Sequence, residues 1–334
     1  MADSILSAST GDATADRIMH AVVGIFETTF NGRLRSCYID GSYADGTETA
    51  RSDLDVTIVF KDRFTDDAER DRAARLADYS AALSSLELDI EVIDDAEVEA
   101  GVYPSLKGAS RCLYGEDRRA RMAILPMHTW TRERMHAAYW LLVTVFHRPP
   151  VVAPPLPYPD PADQFFGYAR RTVRLPTGAE VPSTRDLIRV TGWIATALLA
   201  YRAGVYVAAK SECHRAYRAH IGDEWAPLVE DLYRRCRTAW GYLIPSGEEE
   251  QQELRALCAR TLQFENHFLV IYRDYALAQL CADDTASLCR ALWVLEHIVY
   301  CDEGVRHAVQ ALTEHDDGDV RRAAARSFAV FRQC

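Results

Sequence analysis

Long hydrophobic runs are missing from this sequence. A helix that crosses a membrane needs about 20 consecutive apolar residues, and no stretch of the chain approaches that length. The first residues, MADS, also lack the basic flank and the apolar stretch of a secretory signal. These absences predict a cytoplasmic protein without a membrane partner.

The sequence also contains very few lysines. Of 38 basic residues only Lys61, Lys107 and Lys210 are lysines, and all the others are arginines. A lysine carries a compact ammonium on a flexible stem, whereas the arginine guanidinium is planar and rigid. In so arginine-rich a chain, each lysine raises the question of which task suits an ammonium better.

Cysteine pairing patterns are absent as well. The nine cysteines are odd in number, scattered along the chain and include no C-x-x-C. Such usage is typical of reduced thiols in a cytoplasmic protein rather than of a secreted disulfide scaffold.

Basic residues are fewer than acidic residues. The chain has 49 acidic against 38 basic residues, and its formal net charge at pH 7 is −11. A surplus of negative charge repels the phosphates of nucleic acid and attracts cations. We therefore expect a small, cationic partner rather than nucleic acid, and the composition leaves the oligomeric state open.

The N-terminal part of the chain alternates between helical and extended patterns. Apolar residues recur at helical spacing over 13–30, and a charged, alanine-rich stretch over 65–84 also predicts a helix. Stretches rich in β-branched or alternating apolar residues predict strands over 34–39, 54–60 and 86–93. This order of elements predicts an α/β domain with a small mixed sheet.

The character of the sequence changes further along. A helix is predicted over 128–147, and the segment 149–161 (PPVVAPPLPYPDP) holds seven prolines, which cannot continue a helix. Residues 162–334 are helical in pattern throughout, beginning with a helix over 162–174. The fold class predicted is therefore α+β, with a first domain over 1–148, a proline-rich linker and an all-α helical bundle.

Two aspartates stand at the head of the second predicted strand. Asp53 and Asp55 are two residues apart, so both side chains emerge on one face while Leu54 and Val56 point the opposite way. Bare carboxylates this close repel each other. Hard divalent cations between them and a polyphosphate produce the usual Mg²⁺ arrangement of phosphoryl and nucleotidyl transfer.

Other residues fit the same chemistry. Gly41 follows a strand, where a glycine lets the backbone approach a phosphate, and Ser42 adds a hydroxyl. Asp89, on a neighbouring strand, is a candidate metal ligand or base for an acceptor hydroxyl. Taken singly, each feature also fits an ordinary role, in a loop or on the solvated face of an edge strand.

The combination resembles the signature of the DNA polymerase β-like nucleotidyltransferase superfamily. It consists of GSYADGTETARSDLDVTIVF over 41–60 and LELDIEVI over 86–93. The resemblance implies that Asp53, Asp55 and Asp89 are catalytic and bind the metal, and that Gly41 and Ser42 hold the triphosphate. Glu91 shares its face with Asp89 and is the alternative third acid.

The helical half resembles one branch of that superfamily. GVYVAAKSE over 204–212 and LYGE over 113–116 are similar to elements of aminoglycoside nucleotidyltransferases of the streptomycin and spectinomycin adenylyltransferase type. This resemblance implies that Lys210 binds nucleotide phosphates. Arg189 is a second candidate phosphate contact. Asp186 is either a substrate-facing acid or an acid favoured by a helix N-terminus.

Together these resemblances imply a transfer reaction. The expected enzyme moves AMP from ATP, its co-substrate, to a hydroxyl of a small cationic acceptor such as an aminoglycoside, with two Mg²⁺ ions as cofactors and pyrophosphate as the other product. The second domain is expected to set the identity of the acceptor. Transfer to tRNA or protein is an alternative, and a non-catalytic nucleotide sensor or scaffold is an alternative of another class.

Overall fold

The structure is a computed structural model that describes residues 5–49, 52–149, 151–175 and 177–332. Residues 50 and 51 of the loop after Ser42, and Pro150 in the predicted linker, lie outside the described residues. The chain divides into two compact units. The first comprises residues 1–130, 174–178 and 205–216, and the second comprises 131–173, 179–204 and 217–334.

The first unit is built around a sheet of four strands with order β3-β2-β1-β4. Strand β1 is antiparallel to β2 and β4, whereas β2 and β3 are parallel, so the sheet is small and mixed as predicted. Its strands are β1 (Leu34–Asp40), β2 (Leu54–Phe60), β3 (Leu88–Asp94) and β4 (Arg111–Gly115), and its helices are α1 (Ala13–Phe30), α2 (Ser42–Asp45), α3 (Asp67–Leu83), α4 (Asp95–Ala100) and α5 (Pro104–Gly108).

One face of this sheet forms the core of the first unit. Leu54, Val56 and Ile58 of β2 are buried in one cluster with Val22 and Phe26 of α1. Alternation along β2 therefore turns its polar residues to the other face. The predicted α/β order is confirmed. The other face carries Asp55 and Thr57, and also Val59, which belongs to a second buried cluster with Tyr38 and Val98.

From residue 127 onward the chain is mostly helical. Its helices are α6 (Met127–Thr144), α7 (Arg185–Leu198), α8 (Cys213–His220), α9 (Ala226–Leu232), α10 (Glu248–Gln279), α11 (Thr285–His297), α12 (Glu303–Ala311) and α13 (Gly318–Phe331). Helices α7 and α9 continue into π-helical turns over Leu199–Ala203 and Tyr233–Ala239, and single 3₁₀ turns cover Arg119–Arg121, Lys210–Glu212 and Leu312–Glu314. The predicted α+β class with a helical second half is confirmed.

Short strands interrupt that helical half, which was predicted to be all-α. They are β5 (Val151–Val152), β6 (Thr172–Arg174), β7 (Glu180–Pro182) and β8 (Val299–Tyr300), and they pair as β5 with β8 and β6 with β7. Strand β5 belongs to the predicted proline-rich linker. Further along that segment, the Leu156 amide donates to Asn266 Oδ1 at 2.6 Å, so the segment is hydrogen-bonded to α10 within the second unit.

The helix predicted over 162–174 is wrong. Residues 162–169 form turns instead, and both Phe166 and Gly167 have positive φ angles, of 59° and 86°. A Cβ at position 167 would lie 2.7 Å from the Asp160 amide nitrogen, so the turn requires glycine. The Asp163 carboxylate accepts hydrogen bonds from the amides of Phe165 and Gly167 and satisfies the turn without a helix.

A buried ion pair lies in the core of the second unit. Glu265 of α10 is fully buried, and its Oε2 accepts hydrogen bonds from Arg148 Nη2 at 2.7 Å and from the Tyr168 hydroxyl at 2.8 Å. The Arg148 side chain is only 4% exposed. The two charges therefore depend on each other for compensation.

Within the described ranges, no helix has both the length and the apolar character needed to cross a membrane. Of the cysteines within the described ranges, seven are free thiols, whereas Cys301 is disulfide-bonded. The prediction that the thiols are reduced is therefore wrong for Cys301.

Candidate active site

A row of aspartates crosses the sheet. In the strand register Asp55 of β2 is paired with Asp40 of β1 on one side and with Asp89 of β3 on the other. Residues paired across neighbouring strands project from the same face. The three carboxylates therefore share the face of the sheet opposite the cluster that contains α1.

Asp53 extends this row along the chain. It lies two residues before Asp55 and is half-buried, whereas Leu54 and Val56 are buried on the opposite side. Two carboxylates are thus carried side by side at the start of β2, because successive side chains of a strand alternate between its faces.

The third-strand acids occupy different positions in the register. Asp89 is paired with Asp55, and Glu91 is paired with Thr57, one step further along the strands. Both acids are exposed. Asp89 is thus the acid level with Asp55. Its catalytic role, and that of Glu91, remain predictions.

Gly41 packs directly against Asp55. It has a φ of 68° and directly precedes Ser42, the first residue of the short helix α2. A Cβ at position 41 would lie 2.5 Å from Asp55 Oδ2, far inside van der Waals contact. Position 41 therefore requires glycine both for its backbone conformation and for its contact with this carboxylate.

Lys210 reaches the same carboxylate from a distant part of the sequence. Its Nζ lies 2.8 Å from Asp55 Oδ2, and the neighbouring Ser211 hydroxyl donates to Asp45 Oδ2 at 2.8 Å. Both residues belong to the stretch 205–216 of the first unit. The Tyr206 hydroxyl, which donates to the Leu125 carbonyl at 2.6 Å, also holds this stretch in place.

The charges of the site perturb one another. Burial raises the pKa of Asp55 and the Asp53 carboxylate adds to this effect, although Lys210 opposes it. Burial and the Asp55 carboxylate raise the pKa of Asp40 to about 7. Burial alone would lower the pKa of Lys210, but Asp55, Asp53 and Asp40 outweigh it and raise that pKa. The site therefore favours an added cation.

Asp40 is a residue that the sequence reasoning missed. It is the last residue of β1 and directly precedes Gly41. A carboxylate at the end of this strand was visible in the sequence, but its relation to Asp55 depends on the antiparallel register. Only the strand pairing shows that it lies in the same row.

The remaining predicted residues lie in the second unit, on α7. Asp186 is buried, and its Oδ1 lies 3.2 Å from Arg171 Nη1. Arg189 is exposed. The structure thus gives Asp186 an ion-pair partner near the start of a helix. The phosphate-binding role of Arg189 and the substrate-facing role of Asp186 remain predictions.

Carboxylate oxygens are the donors that Mg²⁺ prefers. Among the described residues, no group of three or more His, Cys, Asp or Glu side chains is placed to hold a metal ion. The pair Asp53 and Asp55 nevertheless fits a divalent cation, because a cationic group, the Lys210 ammonium, already contacts Asp55. Their role as metal ligands remains a prediction.

One family of known proteins matches the part of the chain that carries the aspartates. No curated protein sequence matches the chain. Among solved structures, the chain is similar to spectinomycin adenyltransferase AAD(9) from Enterococcus faecialis with ATP and spectinomycin, at 12% identity and a TM-score of 0.43, over 75% of this chain and 98% of that one. Residues 25–109, which include the row of aspartates, match the family described as nucleotidyltransferase domain. This part of the chain therefore matches a nucleotidyltransferase domain, as the resemblance of its motifs predicts.

Proposed function

We propose that this chain transfers AMP from ATP to a hydroxyl of a small cationic acceptor, such as an aminoglycoside, and releases pyrophosphate. The observation that carries the proposal is the arrangement around Asp55. Asp53 lies beside it on the same face of β2, Gly41 packs against its carboxylate, and Lys210 supplies a cation at 2.8 Å. Carboxylates, a close backbone approach and an ammonium are what a metal-bound triphosphate requires.

Asp53 and Asp55 are the proposed ligands of Mg²⁺, with two ions expected and Asp89 as the third carboxylate. When bound, Mg²⁺ neutralises the charge on the reacting phosphates. The role of the protein is to hold the two carboxylates on one strand, where the buried Leu54 and Val56 fix their direction.

Gly41, Ser42 and Lys210 are the proposed contacts of the triphosphate. Gly41 brings the backbone close to Asp55, and the Ser42 hydroxyl follows at the start of α2. The Lys210 ammonium sits on a flexible stem, and it is proposed to exchange the Asp55 carboxylate for a phosphate oxygen.

Asp89 is the proposed base. The acceptor oxygen forms a bond to the α-phosphorus, the bond between that phosphorus and the oxygen bridging to the β-phosphorus breaks, and pyrophosphate leaves with the electron pair. The proton of the acceptor hydroxyl passes to the Asp89 carboxylate. The register supports this role, because Asp89 is directly paired with Asp55.

The acceptor is proposed to be cationic because the chain has a net charge of −11 and the site itself is rich in carboxylates.

The test of the proposed function is incubation of the protein with labelled ATP, Mg²⁺ and a panel of aminoglycosides. Pyrophosphate is expected only when an acceptor is present. Label on tRNA or protein would overturn the small-molecule acceptor, and nucleotide binding without any transfer would overturn the enzymatic proposal.

Replacing Gly41 by Ala is expected to lower the rate of transfer by about a hundredfold, as a displacement of about 1 Å in catalytic geometry can. The new methyl group would collide with Asp55 Oδ2. Gly46→Ala is the matched control, because Gly46 also has a positive φ, of 69°, but a Cβ there meets nothing within 4 Å. Rates of pyrophosphate release for the two variants separate the collision from backbone strain. Equal losses would contradict the role assigned to Gly41.

Replacing Lys210 by Ala is expected to raise KM for ATP about tenfold or more, as loss of a charge-assisted hydrogen bond does. The loss should fall on nucleotide use, because the ammonium is proposed to move to the phosphates. Lys61→Ala is the control, since the Lys61 ammonium donates to the Gly32 carbonyl and not to a site residue. If KM for ATP in steady-state kinetics is unchanged, Lys210 has a purely structural role.

A further inference from the structure

A cavity of about 260 Å³ lies in the first unit beside the row of aspartates. Asp40, Thr57 and Glu91 line it, and Thr57 and Glu91 are paired in the strand register. Each lies two residues beyond Asp55 or Asp89, which is about 7 Å along a strand. The cavity therefore opens from the face of the sheet that carries the proposed catalytic carboxylates.

Part of the cavity lining is apolar and is held by backbone hydrogen bonds. Val102 and Leu125 contribute to it, and the backbone joins them through hydrogen bonds from Val102 N to Ala123 O at 2.9 Å and from Leu125 N to Val102 O at 3.0 Å. Gly101 has a φ of 121°, and a Cβ there would lie 3.1 Å from the Leu125 backbone. This part of the lining is thus a preformed surface.

The charged part of the lining has one sign. Asp40, Glu91 and Glu97 line the cavity, and no lysine or arginine of the described chain does so. Glu97 is already engaged by Arg70, at 2.8 Å, and by its own helix cap. The Asp40 carboxylate accepts a hydrogen bond from the Ser105 hydroxyl, and a carboxylate with one such bond keeps further acceptor capacity.

The size and chemistry of the lining define a ligand class. Pockets for drug-sized ligands have volumes of roughly 300–1,000 Å³. This cavity is smaller, so it suits a single ring of a larger molecule. Apolar side chains and Tyr103 offer contact to the body of a ring, and the carboxylates offer partners for a cation.

We infer that this cavity is the subsite for the acceptor, and that Asp40 is the counter-ion of an ammonium group on the acceptor ring. The inference rests on the proposed function and deepens it. It also moves part of acceptor recognition from the second domain, where the sequence placed it, to the first unit. A ring held here lies about one strand repeat from Asp55 and Asp89.

The test is direct binding to the full chain without ATP, by calorimetry or saturation-transfer NMR. The probes are 2-deoxystreptamine, a ring with two amines, and myo-inositol, its neutral polyol counterpart. Wild type is expected to bind the diamine at least about tenfold more tightly than the polyol. Asp40→Asn keeps the shape and the Ser105 hydrogen bond but should abolish this preference.

Two further variants complete the test. Ala100→Trp places a large side chain at an exposed position of the lining and should weaken both probes. Glu99→Gln removes an exposed carboxylate of α4 that does not line the cavity, and should change neither. An undiminished preference for the diamine in Asp40→Asn, or equal binding of the two probes to wild type, would overturn the inference.

The outcome is distinguishable from that of the proposed function. Diamine binding that depends on Asp40, without AMP transfer to any aminoglycoside, would support the subsite and overturn the transfer reaction. The reverse outcome is transfer to an aminoglycoside with an unchanged preference in Asp40→Asn, measured as kcat/KM for the aminoglycoside relative to a deaminated analogue. That outcome would support the transfer reaction and overturn the subsite.

Discussion

Asp55→Asn is expected to abolish AMP transfer, by about a thousandfold or more, because it removes several kcal/mol of electrostatic stabilisation from the reacting phosphates. Asparagine has nearly the same shape as aspartate but cannot neutralise a metal ion. The substitution removes the carboxylate that Gly41 packs against and that Lys210 contacts. Pyrophosphate release measured under saturating ATP and acceptor checks this result.

The same variant is expected to be at least as stable as wild type at pH 7. The pKa of Asp55 is raised on folding, chiefly by burial. A raised pKa gives stability that is present below the unfolded value near 3.8 and is lost as the pH rises through the folded value. Neutral asparagine avoids this loss, although Lys210 then loses its partner. Thermal unfolding without Mg²⁺, at pH 4 and pH 7, should show a gain that is larger at pH 7.

Asp78→Asn is the matched control for both measurements, because Asp78 is an exposed carboxylate on α3. It should leave transfer and stability unchanged. Substantial turnover in Asp55→Asn would show that the metal ligands lie elsewhere. A large loss of stability would show instead that the Lys210 ion pair outweighs the burial of the carboxylate.

Glu265→Ala is expected to destabilise the second unit by about 3–5 kcal/mol, because removing one partner of a buried ion pair leaves an uncompensated charge. Arg148 is 4% exposed and would lose its 2.7 Å contact, and the Tyr168 hydroxyl would lose its acceptor. Urea unfolding followed by circular dichroism measures the change. The exposed pair of Arg322 and Asp319 on α13 is the control, since Arg322→Ala should cost about 1 kcal/mol or less.

A double variant separates the two parts of this effect. Arg148→Met combined with Glu265→Leu removes both charges and fills the space with apolar groups. Such replacements are often neutral or stabilising. The double variant should therefore recover most of the stability lost by Glu265→Ala. If it is as unstable as the single variant, packing around the pair, rather than the orphaned charge, explains the loss.

Sequence patterns predicted the parts of the site that lie within single elements. Alternation along β2 was enough to put Asp53 and Asp55 on one face, because a strand has a period of two residues. Asp40 was not predicted to belong to the site, because its position there depends on pairing with Asp55 across antiparallel strands. The register likewise makes Asp89, rather than Glu91, level with Asp55.

Other features depended on long-range or local backbone geometry. The Lys210 contact joins residues 155 positions apart, a distance at which periodicity carries no information, so only the family resemblance pointed to it. The helix predicted over 162–174 was wrong because positive φ angles at Phe166 and Gly167, together with hydrogen bonds to Asp163, favour turns. Helical spacing of apolar residues does not reveal such turns.

The first compact unit is assembled from three separate stretches of chain, 1–130, 174–178 and 205–216. A polypeptide that stopped before residue 205 would keep the aspartates and lose Lys210, the cation beside Asp55. The nucleotidyltransferase domain therefore cannot be separated, with its lysine, by truncating the chain at a single position. In a chimera with a related enzyme, a functional exchange needs junctions on both sides of 205–216, so that the lysine and its carboxylate partner come from the same parent.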